Sequence, residues 1–226
     1  MFNNLVCGNH LGSTLLIRVI FILCLVMPMA AFSQPKVLVL GDSLSAGYGI
    51  NYEQAWVHLL EQKLQIDFPD AKVINASISG ETSSGALARL PQILSDYQPD
   101  YVLIELGGND GLRGQSINLL KDNLQKIISL VKQDSVALLV QMRIPLNYGK
   151  KYTALFEQAY PELAESNDIT LAPFLLDGFA TDPEYMQADR IHPKVNAQPL
   201  IVENLLPAIK KALAEGQVPE SSIGNN

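Results

Sequence analysis

The sequence predicts a three-layer α/β/α domain built on a central parallel sheet of about five strands. Short, nearly continuous apolar runs occupy residues 36–40, 72–76, 101–106 and 136–142, with a shorter one at 169–171. Runs of this kind suit strands buried on both faces. Between them lie segments with apolar residues at helical spacing, and strands alternating with helices imply right-handed βαβ crossovers. Three of the runs also end in turns rich in Gly, Asp, Asn and Ser.

Residues 53–66 place Trp56, Leu59, Leu60 and Leu64 on one helical face. Residues 82–97 start with Thr and Ser and carry Leu87, Leu90, Ile93 and Leu94. Residues 116–132 repeat the pattern with Leu120, Leu124, Ile127, Ile128 and Val131. Helices over 151–166 and 197–214 complete the set. The chain shows no internal repeat and no second domain.

The first 33 residues differ from the rest. They hold one charged residue, Arg18, followed by the apolar run from Val19 to Met27, then Pro28 and the small-residue stretch Ala31-Phe32-Ser33. This is the layout of a secretory signal peptide, with an apolar run too short for a comfortable membrane span. The expected organisation is a leader over 1–33, a domain over 34–214 and a polar, frayed tail over 215–226. Cys7 and Cys24, the only cysteines, would leave with the leader, so the mature chain would have no disulfide, thiol nucleophile or cysteine metal site. The leader takes one of 16 basic residues and none of the 23 acidic ones, and an acidic chain without a basic run is a poor nucleic-acid binder.

Chemistry-bearing residues follow three strand ends: Gly41-Asp42-Ser43, then Asn75-Ala76-Ser77-Ile78-Ser79-Gly80, then Gly107-Gly108-Asn109-Asp110. Parallel strands share one carboxyl edge, so the three turns should converge there. Ser43 needs a base to act as a nucleophile. Losing the leader removes His10 and leaves His58 and His192. His58 lies within the helical pattern Trp56-Val57-His58-Leu59-Leu60, which favours a structural role. His192 has Asp189 three residues before it in a loop, a spacing that lets the carboxylate reach Nδ1 and leaves Nε2 to face Ser43. Asp42 is expected to fix the turn through backbone hydrogen bonds. Candidate oxyanion donors are the Ser43 N–H, the Gly80 N–H and the Asn109 amide. Gly80 as a turn glycine and Asn109 as an Asx-turn residue are the alternative readings. Their joint occurrence at neighbouring strand ends favours the donor reading. Leu112, Ile144, Leu146 and Tyr148 lie after strand ends and are candidate walls of an acyl groove.

Four blocks carry a family resemblance: Gly41-Asp42-Ser43-Leu44-Ser45-Ala46-Gly47-Tyr48, Asn75 to Gly80, Glu105 to Gly114, and Asp189-Arg190-Ile191-His192-Pro193. The chain resembles the SGNH (GDSL) hydrolases from about residue 36 to about residue 210. Within them it is similar to the bacterial periplasmic thioesterase I / protease I / lysophospholipase L1 group, to which Gln141-Met142-Arg143-Ile144-Pro145 and Asn147-Tyr148-Gly149 also fit. The resemblance implies a flavodoxin-like fold, a Ser43–His192–Asp189 triad and an oxyanion hole from Ser43, Gly80 and Asn109. It further implies hydrolysis of acyl thioesters, lysophospholipids and simple esters without metal or cofactor, and a periplasmic home; a monomer with no stable membrane anchor after leader cleavage is expected. Where the group often has Asp-Asp-Gly before Ile-His-Pro, this chain has Ala188-Asp189-Arg190, which adds a cation near the site's rim. A carbohydrate acetyl esterase of the same superfamily and a non-catalytic flavodoxin-like binding module are the other readings.

Overall fold

The structure is a computed structural model and describes Met1 and residues 34–216. The leader expected over 1–33, apart from Met1, and residues 217–226 of the expected tail lie outside the described residues. The described residues form five strands: β1 (Lys36–Gly41), β2 (Lys72–Asn75), β3 (Tyr101–Glu105), β4 (Val136–Val140) and β5 (Thr170–Ala172). They form one sheet in the order β2-β1-β3-β4-β5, and every pairing is parallel. The register places Val39 beside Asn75 and Gly41 beside Glu105, so the ends of β1, β2 and β3 emerge together. This is the flavodoxin-like order, whose direction reverses between β1 and β3, where ligands bind in such sheets.

Among the described residues seven α-helices accompany the strands: α1 (Ser43–Ala46), α2 (Trp56–Asp67), α3 (Ser83–Tyr97), α4 (Gly108–Leu112), α5 (Ile117–Val131), α6 (Lys150–Asn167) and α7 (Gln198–Gly216). Helices α2 and α7 pack together on one face of the sheet, and α5 packs between α3 and α6 on the other. The five long helices match those expected, with α7 running two residues beyond the expected end at 214. Short α1, with Ser43 at its N-terminus as expected, and α4 lie outside the periodic segments, because one turn of helix has no periodicity to read.

The apolar residues of the strands are almost wholly buried, which explains their lack of alternation: Leu38, Leu40, Leu103 and Ile104 are all fully inaccessible. One core spans both helical layers, with Trp56, Leu60 and Leu64 on one side and Leu124, Ile127 and Phe156 on the other. Each fully buried side chain of this size stabilises the fold by about 1.5–3 kcal/mol relative to exposure. Buried Gln198 accepts the Trp56 N–H at 3.0 Å, satisfying the first turn of α2 and fixing it against α7.

Candidate active site

Strand β1 ends in the carboxyl-edge turn that opens α1. Asp42 is the N-cap of α1, and its Oδ1 accepts the Leu44 N–H at 3.0 Å. Trp56 Nε1 donates to the Leu44 carbonyl at 3.1 Å, tying this turn to α2. Asp42 thus fixes the turn in the way its sequence position suggests. Ser43 is the first helical residue.

His192 Nε2 lies 2.9 Å from Ser43 Oγ, and His192 Nδ1 lies 2.6 Å from Asp189 Oδ2. Asp189 Oδ1 accepts the N–H groups of Ile191 at 2.9 Å and His192 at 3.0 Å. Burial works against the Asp189 charge, but the imidazole and the two amides outweigh it and hold the carboxyl down to about 2. The loop carrying the pair is closed by the Gln187 N–H to the His192 carbonyl, 2.8 Å, and by an antiparallel bridge between Met186 and Pro193. Gln187 Nε2 reaches the Tyr48 carbonyl at 3.0 Å, and the Tyr48 ring sits 4.3 Å from the imidazole. Both contacts connect the His192 loop to the segment just after α1. His58, the rival base, lies elsewhere, in α2, where its Nε2 accepts from Gln62 at 3.1 Å and its ring faces Tyr52.

Gly80 occupies the third position of a turn closed by the Glu81 N–H to the Ile78 carbonyl at 3.1 Å, with φ of +80°. That is the geometry of a type II turn, and it requires glycine there. Asn109 is the second residue of α4, and its Nδ2 donates to Asp42 Oδ2 at 3.0 Å. One amide hydrogen therefore anchors Asn109 to the Ser43 turn and the second remains for a ligand. No other described residue takes up the N–H of Ser43 or of Gly80. Gly107, φ +109°, lets α4 start against β3, since a Cβ there would collide with Tyr160 Oη.

Two carboxyl groups lie beneath the Ser43 turn. Glu105 is fully buried, its Oε2 accepting from Ser45 Oγ at 2.5 Å and from the Asp42 N–H at 3.3 Å. Burial, with the like charge of Asp42 added, pushes its carboxyl well above the ordinary glutamate value. Burial also raises Asp42, to about 6, against the opposing pull of the Leu44 N–H, Asn109 and His192.

One continuous cleft contains Ser43, Gly80, Asn109, Asp189 and His192 together with Leu112, Ile144, Leu146 and Tyr148. The groove candidates differ in depth: Ile144 is buried, whereas Leu146 projects into solvent. A further part of the lining, from Phe174, Leu176, Phe179 and Met186, is absent from the sequence reading. Its signal was an irregular apolar stretch after β5, on the same sheet edge. Arg190 also borders the cleft with φ of +58°, an unusual backbone for a non-glycine residue. Among the described residues no group of three His, Cys, Asp or Glu side chains converges to hold a metal ion.

The model of the GDSL-like lipase/acylhydrolase family matches residues 39–198. An arylesterase of Vibrio mimicus is 46% identical over 199 residues, covering 88% of this chain and 98% of the relative. The thioesterase 1/protease 1/lysophospholipase L1 of Escherichia coli K12 is 44% identical over 184 residues, covering 81% and 87%. Among solved structures, the psychrotrophic esterase EstA from Pseudoalteromonas sp., inhibited by monoethylphosphonate, superposes with a TM-score of 0.77. It shares 41% identity and covers 80% of this chain and 100% of that one. With blocks at 41–48, 75–80, 105–114 and 189–193 joined in one cleft, this chain belongs to the GDSL-like lipase/acylhydrolase family.

Proposed function

We propose that the cleft hydrolyses carboxylic esters and thioesters of medium to long acyl chains through an acyl-enzyme on Ser43. The observation that carries this reading is the unbroken chain from Ser43 Oγ to His192 Nε2, 2.9 Å, and from His192 Nδ1 to Asp189 Oδ2, 2.6 Å.

Asp189 remains ionised at neutral pH and accepts the Nδ1 proton, which leaves Nε2 as the acceptor facing Ser43. Ser43 Oγ attacks the acyl carbonyl carbon while its proton passes to Nε2. The carbonyl oxygen becomes an oxyanion, and the free Ser43 and Gly80 N–H groups and the second Asn109 hydrogen serve as its donors. The bond to the leaving oxygen or sulfur then breaks, and Nε2 returns its proton to that atom. Water then attacks the acyl-enzyme while Nε2 takes its proton, and as the acyl–Oγ bond breaks Nε2 returns that proton to Ser43 Oγ, releasing the carboxylic acid.

The apolar walls at Ile144, Phe174, Leu176 and Phe179 support an acyl chain over the acetyl group of a glycan. The names of the Vibrio mimicus and Escherichia coli relatives support aryl esters, thioesters and lysophospholipids as substrates. The triad Ser43–His192–Asp189 is completed within one chain, so a monomer suffices as the working unit. Among the described residues no helix is long and apolar enough to cross a membrane. The leader pattern in residues 1–33 supports export, and the resemblance to the periplasmic thioesterase I group supports a periplasmic site of action.

The test is turnover of p-nitrophenyl esters, acyl-CoA and lysophosphatidylcholine by the wild type and Ser43→Ala. Loss of all turnover with Ser43→Ala, and faster turnover of octanoyl than acetyl esters by the wild type, are expected. Unchanged activity in Ser43→Ala would overturn the reading.

A further inference from the structure

The proposed oxyanion donors sit on two different segments: Gly80 in the turn before α3, and Asn109 in α4. Two connections join these segments. The first is buried. Asp110 Oδ2 accepts the Ser83 N–H at 2.9 Å, and Asp110 Oδ1 accepts from Ser83 Oγ at 2.6 Å. Asn123 of α5 supports this pair by donating to Ser83 Oγ at 3.0 Å and to Ser84 Oγ at 2.8 Å. The second is on the surface. Arg113, the residue that ends α4, donates from Nη2 to the Gly80 carbonyl at 3.0 Å.

The surface connection bears directly on the donor. Gly80 is exposed, and a Cβ built on it would meet only Arg113 Nη2, at 3.8 Å, so packing does little to hold it. The Gly80 N–H and the Gly80 carbonyl flank one Cα, so holding the carbonyl limits how far the residue, and its N–H with it, can shift. Arg113 is not among the side chains that border the cleft, so it is placed to hold Gly80 rather than to touch substrate.

We propose that Arg113 is a positioning residue for the oxyanion hole, its bond to the Gly80 carbonyl fixing the Gly80 N–H relative to the Asn109 amide. This rests on the acyl-enzyme reading above. The buried Asp110–Ser83 pair brings the two segments together, and Arg113 sets the last turn. A displacement of about 1 Å in such a group is enough to cost catalysis one to two orders of magnitude.

The experiment compares Arg113→Ala, Arg113→Lys, Asn109→Ala and the Arg113→Ala/Asn109→Ala double variant. Each is measured on a neutral p-nitrophenyl ester, on an acyl-CoA, and for inhibition by an alkyl trifluoromethyl ketone that forms a tetrahedral adduct. Arg113→Ala is expected to lower kcat about tenfold on both substrates with KM within about twofold. Its ketone affinity should fall by the same factor, and its Tm should stay within about 2 °C of wild type because the side chain is exposed. Arg113→Lys should recover part of the loss, since an ammonium also donates to a carbonyl. The double variant should lose less than the product of the single losses.

A kcat within twofold of wild type in Arg113→Ala, beside a large loss in Asn109→Ala, would overturn the role of Arg113 alone. A loss confined to KM for acyl-CoA would also overturn it, by making Arg113 a substrate contact. An unimpaired Asn109→Ala would remove the oxyanion reading, and the role of Arg113 with it.

Discussion

Asp189→Asn should damage the enzyme more than Asp189→Ala, although asparagine is the closer mimic. Asp189 Oδ1 already accepts two backbone N–H groups, at 2.9 and 3.0 Å, and Oδ2 faces His192 Nδ1 at 2.6 Å. In Asp189→Asn the two amides select the remaining side-chain oxygen, so the new NH2 group faces Nδ1. An NH2 group only donates, so Nδ1 must accept and the ring proton moves to Nε2. Nε2 then points a hydrogen at Ser43 Oγ and cannot act as its base. Recovering the working tautomer means turning the amide against two N–H donors. At about 1–2 kcal/mol for each mispaired contact, that costs about 2–4 kcal/mol, or about 30- to 10³-fold in kcat. Asp189→Ala imposes no tautomer, and water can reach the vacated position because the Asp189 side chain is 38% exposed. Pre-steady-state acylation with a p-nitrophenyl ester measures the order directly: wild type, then Asp189→Ala, then Asp189→Asn. An Asp189→Asn enzyme faster than Asp189→Ala would refute the hydrogen-bond argument.

Asn109→Ala should lower kcat about 10²- to 10³-fold with a smaller change in KM, and a loss under about threefold would return Asn109 to a turn role. Ile144→Ala should reduce kcat/KM for octanoyl esters about tenfold and leave acetyl esters nearly unchanged, which a chain-length series of p-nitrophenyl esters will show. Glu105→Gln tests the buried carboxyl beneath the Ser43 turn, where Asp42 is the neighbouring charge and Tyr160 and Asp110 are further buried titratable groups. An unfolded glutamate titrates near about 4.3, whereas native Glu105 titrates well above its ordinary value. The native state therefore holds the extra proton, and the stability contributed by Glu105 is full below about 4.3 and lost as pH rises toward its native value. Thermal unfolding at several pH values should show Glu105→Gln gaining on wild type as pH rises, and a difference independent of pH would contradict this.

The sheet was legible because its strands are buried on both faces: runs such as Val37 to Leu40 and Val102 to Ile104 have no polar interruption. The helix ends were legible where amphipathic spacing stopped, as at Ser83 and Val131. The convergence of Ser43, Gly80 and Asn109 followed from the shared carboxyl edge of parallel strands, without any contact being known. The Asp189–His192 pair was legible because it is local, three residues apart. What stayed hidden depends on long-range packing. The Tyr48 ring meets His192 across 144 positions of sequence, and nothing local marks the pairing. Glu105 is a single polar residue in an apolar run until the register sets it beside Gly41 and within reach of the Asp42 N–H. The Phe174–Met186 wall is irregular, so no period announces it. The bond from Asn109 to Asp42 is likewise long-range: neither the donor reading nor the Asx-turn reading of Asn109 ties it to the Ser43 turn.

The central claim is that Ser43 is a nucleophile activated by His192, and covalent capture tests it most directly. Incubation with an alkyl fluorophosphonate, followed by intact mass and peptide mapping, should show one adduct per chain, located on Ser43. Labelling should slow sharply in His192→Ala and vanish in Ser43→Ala. A wild-type protein that hydrolyses esters yet carries no adduct, or carries it on another residue, would contradict the account.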